Sequence, residues 1–247
     1  MRLAHYPVTF FAIGMGMMGA TLAIRAAERA FAFTHTVSTA ALLLSLAMFA
    51  AVTVGYAAKA LLHAAEVKAE WSHPVRIAFF PAISISLLLL AAALLEPLPQ
   101  LAHAVWLVLL TLVMNRLMFH DPLPGRMVPT LMILIAPPAV AFTAWLRISG
   151  EVGPFGHFLL SVAYVFALLV VTQAPKFRTM PFALSWWALS FPIAALTIAS
   201  FGYAEAASSN PHRIIGAGLL ALLLAVVAGL ILRTALAIRA GTICLPE

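Results

Sequence analysis

The chain has few charged residues and a single cysteine. Of its 247 residues only 9% are charged, whereas 64% are hydrophobic. A soluble domain of this length has too small an interior to bury so many apolar side chains, so the composition predicts an integral membrane protein. The lone cysteine, Cys244, excludes an internal disulfide framework and a cysteine-based metal site.

Motifs for catalysis and for nucleotide or metal binding are also missing. The sequence holds no Walker loop, dinucleotide fingerprint, Ser-His-Asp order or zinc-type spacing. We therefore expect no enzyme, no cofactor and no metal site. The net charge of +6 is scattered between apolar segments rather than gathered on one face, so binding of nucleic acid is not expected either.

Acidic residues are absent from the middle of the apolar segments. They fall in predicted loops or at loop edges: Glu28, Glu66, Glu70, Glu96, Asp121, Glu151 and Glu205. A proton-coupled or cation-coupled transporter usually keeps a carboxylate within the membrane. This distribution argues against such coupling and against a cation pore.

Eight apolar segments are long enough to cross a bilayer, at about 20 residues per crossing. They run over 7–24, 35–62, 74–95, 101–119, 127–146, 155–173, 181–203 and 213–238. The connections between them are short. We therefore predict an all-α integral membrane protein in which residues 1–247 form a single transmembrane domain.

Lysine and arginine predict the orientation of these spans. One side collects Arg2, Lys59, Lys68, Arg76, Arg116, Arg126, Lys176, Arg178, Arg233 and Arg239, and the other holds Arg25, Arg29, Arg147 and Arg213. The side richer in positive charge normally faces the cytoplasm. We expect a multi-pass protein of the plasma (inner) membrane with both termini in the cytoplasm.

Helix-breaking residues occur on alternate spans. The odd spans carry Gly14 and Gly16, Pro81, Pro137 with Pro138, and Pro192, whereas the even spans have no interior proline. A proline within a helix removes a hydrogen bond and kinks it. In lipid the freed carbonyl needs another partner, which favours a position facing protein or a cavity. The alternation predicts helical hairpins, with kinked inner helices around a central pore and plain outer helices facing lipid.

The residues around these breaks are candidates for lining a solute path. Broken helices expose backbone N–H groups, which attract anions. The candidates are Phe11, Gly14, Phe80, Pro81, Ser84, Pro137, Pro138, Phe142, Ser190 and Pro192. Arg76, at the mouth of a span, is expected to raise the local anion concentration. Each hydroxyl can instead bond back to its own helix, and each ring can simply pack between helices.

Several segments resemble the tellurite-resistance/C4-dicarboxylate (malate) transporter and slow-type anion channel family. They are HPVRIAFFPAISISLLLL from His73, FHDPLPGRMVPTLMILIAPPAVAF from Phe119 and FALSWWALSFPIAALTIAS from Phe182, together with YPVTFFAIGMG near the start and CLPE at the end. The resemblance implies a barrel of helical hairpins around an anion pore, commonly in a trimer. It also implies that a phenylalanine on the last inner helix closes the pore. Phe191, directly before Pro192, matches that gate.

The chain departs from this family in two ways. The family usually has ten spans in five hairpins, whereas eight are predicted here, so one outer and one inner helix are expected to be missing near Leu98 to Trp106. A cleft open sideways near the third and fifth spans would follow. Gly14 also stands where the family often has a proline, which implies flexibility rather than a fixed kink.

The resemblance implies a channel or passive transporter for small anions. Its candidate substrates are chloride, nitrate and C4-dicarboxylates such as malate, with tellurite resistance as a family association. The expected partners are these anions, the lipid bilayer and further copies of the chain in a homotrimer. Two alternatives stay open: a shortened paralogue that does not transport and acts as a membrane interaction or structural protein, and a secondary dicarboxylate carrier.

Overall fold

The computed structural model describes residues 3–72, 79–94, 135–172 and 182–241. Its α-helices are α1 (Phe11–Ala30), α2 (Thr36–Leu62), α3 (Ala64–Ser72), α4 (Pro81–Leu94), α5 (Ala136–Ser149), α6 (Gly153–Thr172), α7 (Ser190–Ala206) and α8 (Asn210–Arg239). Short 3-10 helices, Val8–Phe10 and Leu184–Leu189, lead directly into α1 and α7. These residues contain no strand, so the predicted all-α class is confirmed.

Five helical segments are long and apolar enough to cross a membrane. They are Val8–Ala30, Thr36–Leu62, Gly153–Thr172, Leu184–Ala206 and Asn210–Arg239, and Pro81–Ala93 is a shorter apolar helix. The five long segments correspond to the first, second, sixth, seventh and eighth predicted spans. The shorter helix corresponds to the third predicted span, and α5 is the described part of the fifth. The fourth predicted span, 101–119, lies outside the described residues, so the total of eight stays a prediction.

Two predicted connections turned out to be helical. Residues 25–34 were expected to be a loop, yet α1 continues to Ala30 and carries Arg25 and Arg29 on its last turns. The connection after α2 contains α3. Both stretches are rich in alanine and glutamate, which are strong helix formers. A reading based on hydropathy ends a span at the first charges, whereas the backbone continues the helix beyond them.

Two of the predicted inner helices, α1 and α7, are distinguished from the outer ones by burial. Within their most apolar windows, 83% of Val8–Ala30 and 67% of Leu184–Ala206 are buried, against 17% of α2 and 22% each of α6 and α8. Helix α1 packs against α2, α4, α7 and α8, and α7 packs against α5 and α8 as well. Burial therefore supports inner positions for the first and seventh spans. Only Ala136, Ala139 and Phe142 of α5 are buried, so its inner position stays a prediction.

Contacts near the helix ends give the relative directions of the helices in two pairs. The Arg25 guanidinium on the last turns of α1 donates to the carbonyl oxygen of Ala93 near the end of α4, at 2.8 Å, so these inner helices are parallel. The Trp187 indole, just before α7, donates to Thr234 near the end of α8, at 3.0 Å. The outer helix α8 therefore runs antiparallel to α7, as in a hairpin.

Prolines stand in the first turn of three inner helices, α4, α5 and α7. Pro81 is the first residue of α4, Pro137 and Pro138 follow Ala136 at the start of α5, and Pro192 is the third residue of α7. Amide groups in the first turn have no partner within the helix, so a proline there loses no hydrogen bond. In the seventh span the predicted kink takes the form of a change from the 3-10 helix Leu184–Leu189 to α7.

Candidate functional site

Helix α1 approaches its neighbours most closely at two glycines. A Cβ atom at Gly14 would lie 2.8 Å from Cδ2 of Phe49 on α2, and 3.2 Å from the hydroxyl oxygen of Ser86 on α4. At Gly16 it would meet the hydroxyl oxygen of Ser190, at the start of α7. Small residues permit such close helix packing within a membrane. In this structure Gly14 and Gly16 are therefore packing contacts that hold three helices around α1.

Hydroxyl groups near the predicted path bond to their own helices. Ser190 is buried and donates to the carbonyl oxygen of Trp187 at 2.6 Å. Ser86 donates to Ala82 at 2.7 Å, and Thr143 donates to Ala139 at 3.0 Å. A hydroxyl used in this way has no proton left to donate to an anion. Ser84 is half-buried, and its pore-lining role stays a prediction.

Three predicted pore aromatics pack between helices. The ring centroid of Phe11 lies 5.5 Å from that of Tyr56 on α2, and that of Phe80 lies 4.7 Å from that of Trp71 on α3. Phe142 is fully buried. Edge-to-face and offset contacts of this kind stabilise helix packing. Their role in lining a pore therefore rests on the resemblance alone and stays a prediction.

The prolines differ in exposure. Pro192 is buried, Pro81 and Pro138 are half-buried, and Pro137 is exposed. Arg76, which was expected to attract anions, lies outside the described residues.

A cavity of about 130 Å³ opens where α1, α5 and α7 end. It is lined by Ala26 and Arg29 of α1, Thr143, Leu146 and Arg147 of α5, and Ile198, Gly202 and Glu205 of α7. Ile198 lies at the midpoint of α7, and all the other residues lie in the C-terminal halves of their helices. Three parallel inner helices therefore share one mouth.

Phe191 lies on the same face of α7 as part of the cavity wall. Seven residues make nearly two helical turns, so Phe191 and the cavity residue Ile198 share one face about 10 Å apart along the axis. Phe191 is half-buried. Trp187 and Ile193, on either side of Phe191, belong to the large group of buried apolar side chains that forms the core of the described helices. Phe191 is not among the partly buried apolar side chains that pack against this core.

A buried ion pair was not predicted from the sequence. The ammonium nitrogen of Lys59 on α2 lies 3.0 Å from a carboxylate oxygen of Glu70 on α3, and each side chain is 1% exposed. The Tyr56 hydroxyl donates to the same carboxylate at 3.0 Å. The Lys59 ammonium also donates to the Tyr6 carbonyl oxygen at 2.9 Å. The group fastens the N-terminal segment to α2 and α3, and no motif in the sequence marks it.

Glu28 is likewise buried, although it was placed at a loop edge. One of its carboxylate oxygens accepts a hydrogen bond from the Ser38 amide at 3.0 Å, and the other lies 3.2 Å from the Nδ1 atom of His35. The carboxylate thereby satisfies an amide in the first turn of α2, which has no partner within the helix. In the described part of the chain, no three histidine, cysteine or acidic side chains come together as a metal site would require.

Parallel inner helices, three of which carry prolines in their first turn, together with apolar outer helices define a helical-hairpin membrane protein. The chain belongs to the SLAC1 family, because the family model described as a voltage-dependent anion channel matches residues 5–107 and 98–235. The resemblance inferred from the sequence is thereby confirmed at the level of the family. That family comprises anion channels, not enzymes.

Individual relatives match with modest identity. The S-type anion channel SLAH2 of Arabidopsis thaliana is 24% identical over 279 residues, covering 82% of this chain and 53% of the relative. SLAH3 of the same plant is 32% identical, covering 54% of this chain and 21% of the relative. An uncharacterized transporter of Methanocaldococcus jannaschii is 28% identical, covering 38% and 31%. The chain thus spans about half the length of SLAH2 and less of the others.

The matches also bear on the helices expected to be missing. The two stretches that match the family model meet at residues 98–107. The alignment with SLAH2 is longer than the whole chain, so that relative has residues without a counterpart here. Both observations support a loss of sequence near Leu98 to Trp106, while the loss of two helices there stays a prediction.

Proposed function

We propose that the protein conducts small anions passively across the membrane, along the axis between α1, α4, α5 and α7. The observation that carries this proposal is the shared mouth of three parallel inner helices, with two arginines in its wall. Membership of an anion channel family supports it. The candidate substrates are chloride, nitrate and C4-dicarboxylates such as malate, and tellurite resistance is a further candidate phenotype.

We propose Phe191 as the gate of this path. The ring lies on the same helix face as part of the cavity wall and is only half-buried. An apolar ring at a narrow point blocks ions sterically and by excluding water. Trp187, one turn earlier, cannot have this role because it is fully buried and bonded to α8.

The gate can be tested in lipid vesicles that contain the purified full-length chain. Phe191→Ala should increase the efflux of chloride and nitrate while thermal stability stays near that of the wild type. Phe158→Ala is the matched control, because that ring is 61% exposed on the outer helix α6 and should change neither property. A Phe191→Ala protein destabilised by about 3–5 kcal/mol, the large-to-small core penalty, with no gain in efflux would assign the ring to packing instead.

A second candidate function follows from the helices expected to be missing near Leu98 to Trp106. The alignment with SLAH2 is longer than this chain, and a pore wall that lacks one inner helix would make the chain a non-conducting membrane protein that acts as an interaction partner. Absence of efflux from both the wild-type and the Phe191→Ala vesicles would favour this function. Saturable exchange coupled to pH would instead identify a secondary dicarboxylate carrier.

We further propose a homotrimer in the plasma (inner) membrane with both termini in the cytoplasm. The outer helices α2, α6 and α8 expose large apolar side chains over most of their length, which supports contact with lipid and with other copies. The mass of the complex extracted from the membrane in mild detergent tests the trimer. A complex with the mass of one chain would reject it.

A further inference from the structure

We infer that the cavity at the ends of α1, α5 and α7 is a binding site for a small inorganic anion such as chloride or nitrate. Arg147 attracts the anion, and Glu205 opposes it. The inference deepens the proposed channel function, on which its physiological meaning rests. The site itself is tested by binding, which does not depend on conduction.

The wall of the cavity carries two positive groups and one negative group from three different helices. Arg29 lies on α1, Arg147 on α5 and Glu205 on α7. Arg147 is exposed and forms no hydrogen bond or ion pair with another described side chain. In particular, no ion pair joins Arg147 to Glu205. The guanidinium group of Arg147 is therefore available to a diffusible anion.

The rest of the wall favours a small, partly hydrated ion. Ala26, Leu146, Ile198 and Gly202 are apolar, and walls of low polarity focus the field of the nearby charges. Thr143 donates its proton to the carbonyl oxygen of Ala139, so the Arg147 guanidinium is the donor to the anion. A cavity needs at least about 10–15 Å³ to hold one water, so a cavity of about 130 Å³ has room for a chloride or nitrate ion with several waters.

The two arginines also have a simpler possible role. Each stands in the last turn of its helix, where a positive charge interacts favourably with the helix dipole. That role predicts a change in stability when the charge is removed. It predicts no change in anion affinity. The experiment therefore measures affinity separately from stability without ligand.

The test titrates the full-length protein in detergent with sodium chloride or sodium nitrate and follows the thermal midpoint, because a ligand that binds the folded state raises it. Sodium gluconate at equal ionic strength corrects for salt. Arg147→Gln should weaken the apparent affinity about fivefold, and Glu205→Gln should strengthen it by a similar factor. Arg213→Gln is the matched control, because Arg213 lies at the same end of the bundle on α8 and outside the cavity wall. It should leave the affinity within about twofold.

Three results would overturn the site. The first is a wild-type thermal midpoint that responds equally to chloride, nitrate and gluconate. The second is an equal effect of Arg147→Gln and Arg213→Gln on the anion affinity. The third is an anion affinity that Glu205→Gln leaves unchanged or weakens. The flux assay separates this inference from the proposed function. Binding with the expected pattern but without vesicle efflux keeps the site and rejects the channel. Efflux with binding that does not depend on Arg147 keeps the channel and rejects the site.

Discussion

Lys59 and Glu70 place opposite charges in the interior, at the end of the bundle away from the cavity. Removing two charges from water costs several kcal/mol per ion, and a buried pair offsets this only with good geometry and further hydrogen bonds. Here the Tyr56 hydroxyl and the Tyr6 carbonyl supply those bonds. Because Tyr6 precedes α1, the pair also fixes where the first inner helix begins.

At the residue scale, Glu70→Gln should destabilise the protein by about 3–5 kcal/mol, since it leaves the Lys59 ammonium buried without a counter-charge. Thermal denaturation of the purified protein in detergent measures the change. Glu66→Gln is the matched control, because Glu66 lies on the same helix and is exposed. A double variant, Lys59→Met with Glu70→Met, should recover part of the loss. Equal midpoints for Glu70→Gln and Glu66→Gln would show that the pair contributes nothing.

At the scale of the elements, small residues decide which faces meet. In a membrane the lipid is as apolar as leucine, so helices associate through close packing rather than through the hydrophobic effect. Gly16 lets α1 reach Trp187 and Ser190, and Gly19 lets it reach Ala194 on α7. These contacts explain why α1 lies in the centre of the described bundle and α2 at its edge.

Gly16→Ala should therefore destabilise the protein by about 1–3 kcal/mol, the usual cost of overpacking a core. A Cβ atom there would lie 2.8 Å from the Cε3 atom of Trp187, and that ring is held by a hydrogen bond to α8. Gly218→Ala is the control, because nothing lies within 4 Å of its added Cβ atom. It should be neutral or slightly stabilising, since alanine favours a helix. Thermal midpoints that rank the two variants in the opposite order would contradict the account.

The bounds of the helices were only partly predictable from the sequence. The prediction 35–62 for the second span agrees with Thr36–Leu62, because that stretch is apolar throughout and ends near charges. The prediction 7–24 for the first span stopped six residues short of Ala30. Hydropathy marks the part of a helix that lies in lipid, and Arg25, Glu28 and Arg29 lie beyond that part on the same continuous helix.

At the scale of the whole molecule, the parallel inner helices fix which loops share a side of the membrane. The ends of α1, α5 and α7 meet at one mouth, so the loops after them lie on the same side. The ion pair of Lys59 and Glu70 lies at the opposite end, beside the start of α1. This arrangement groups these loops as the orientation predicted from lysine and arginine does, and that the cavity faces away from the cytoplasm stays a prediction.

Cysteine labelling tests that orientation in intact cells. In a Cys244→Ser background, Ala207→Cys should react with a membrane-impermeant maleimide added outside, whereas Lys68→Cys should react only after the cells are opened. Both positions are exposed, so access to the thiol reports the side of the membrane. Labelling of both positions from outside would reject the predicted topology, and labelling of Lys68→Cys alone would reverse it.

The sequence by itself determined the class of this protein and the order of its helices. Its apolar content requires a membrane, and glycines and a proline marked the two most buried helices, α1 and α7, because small residues permit close packing and a proline in the first turn loses no hydrogen bond. Only the tertiary structure decided which faces of these helices meet. The sequence of a helix that is apolar all round carries little information on which side faces protein. The cavity of Arg29, Arg147 and Glu205 forms only because the ends of three helices that are distant in the sequence come together. The pairing of Lys59 with Glu70 also depends on the turn between α2 and α3, which no periodicity in the sequence encodes.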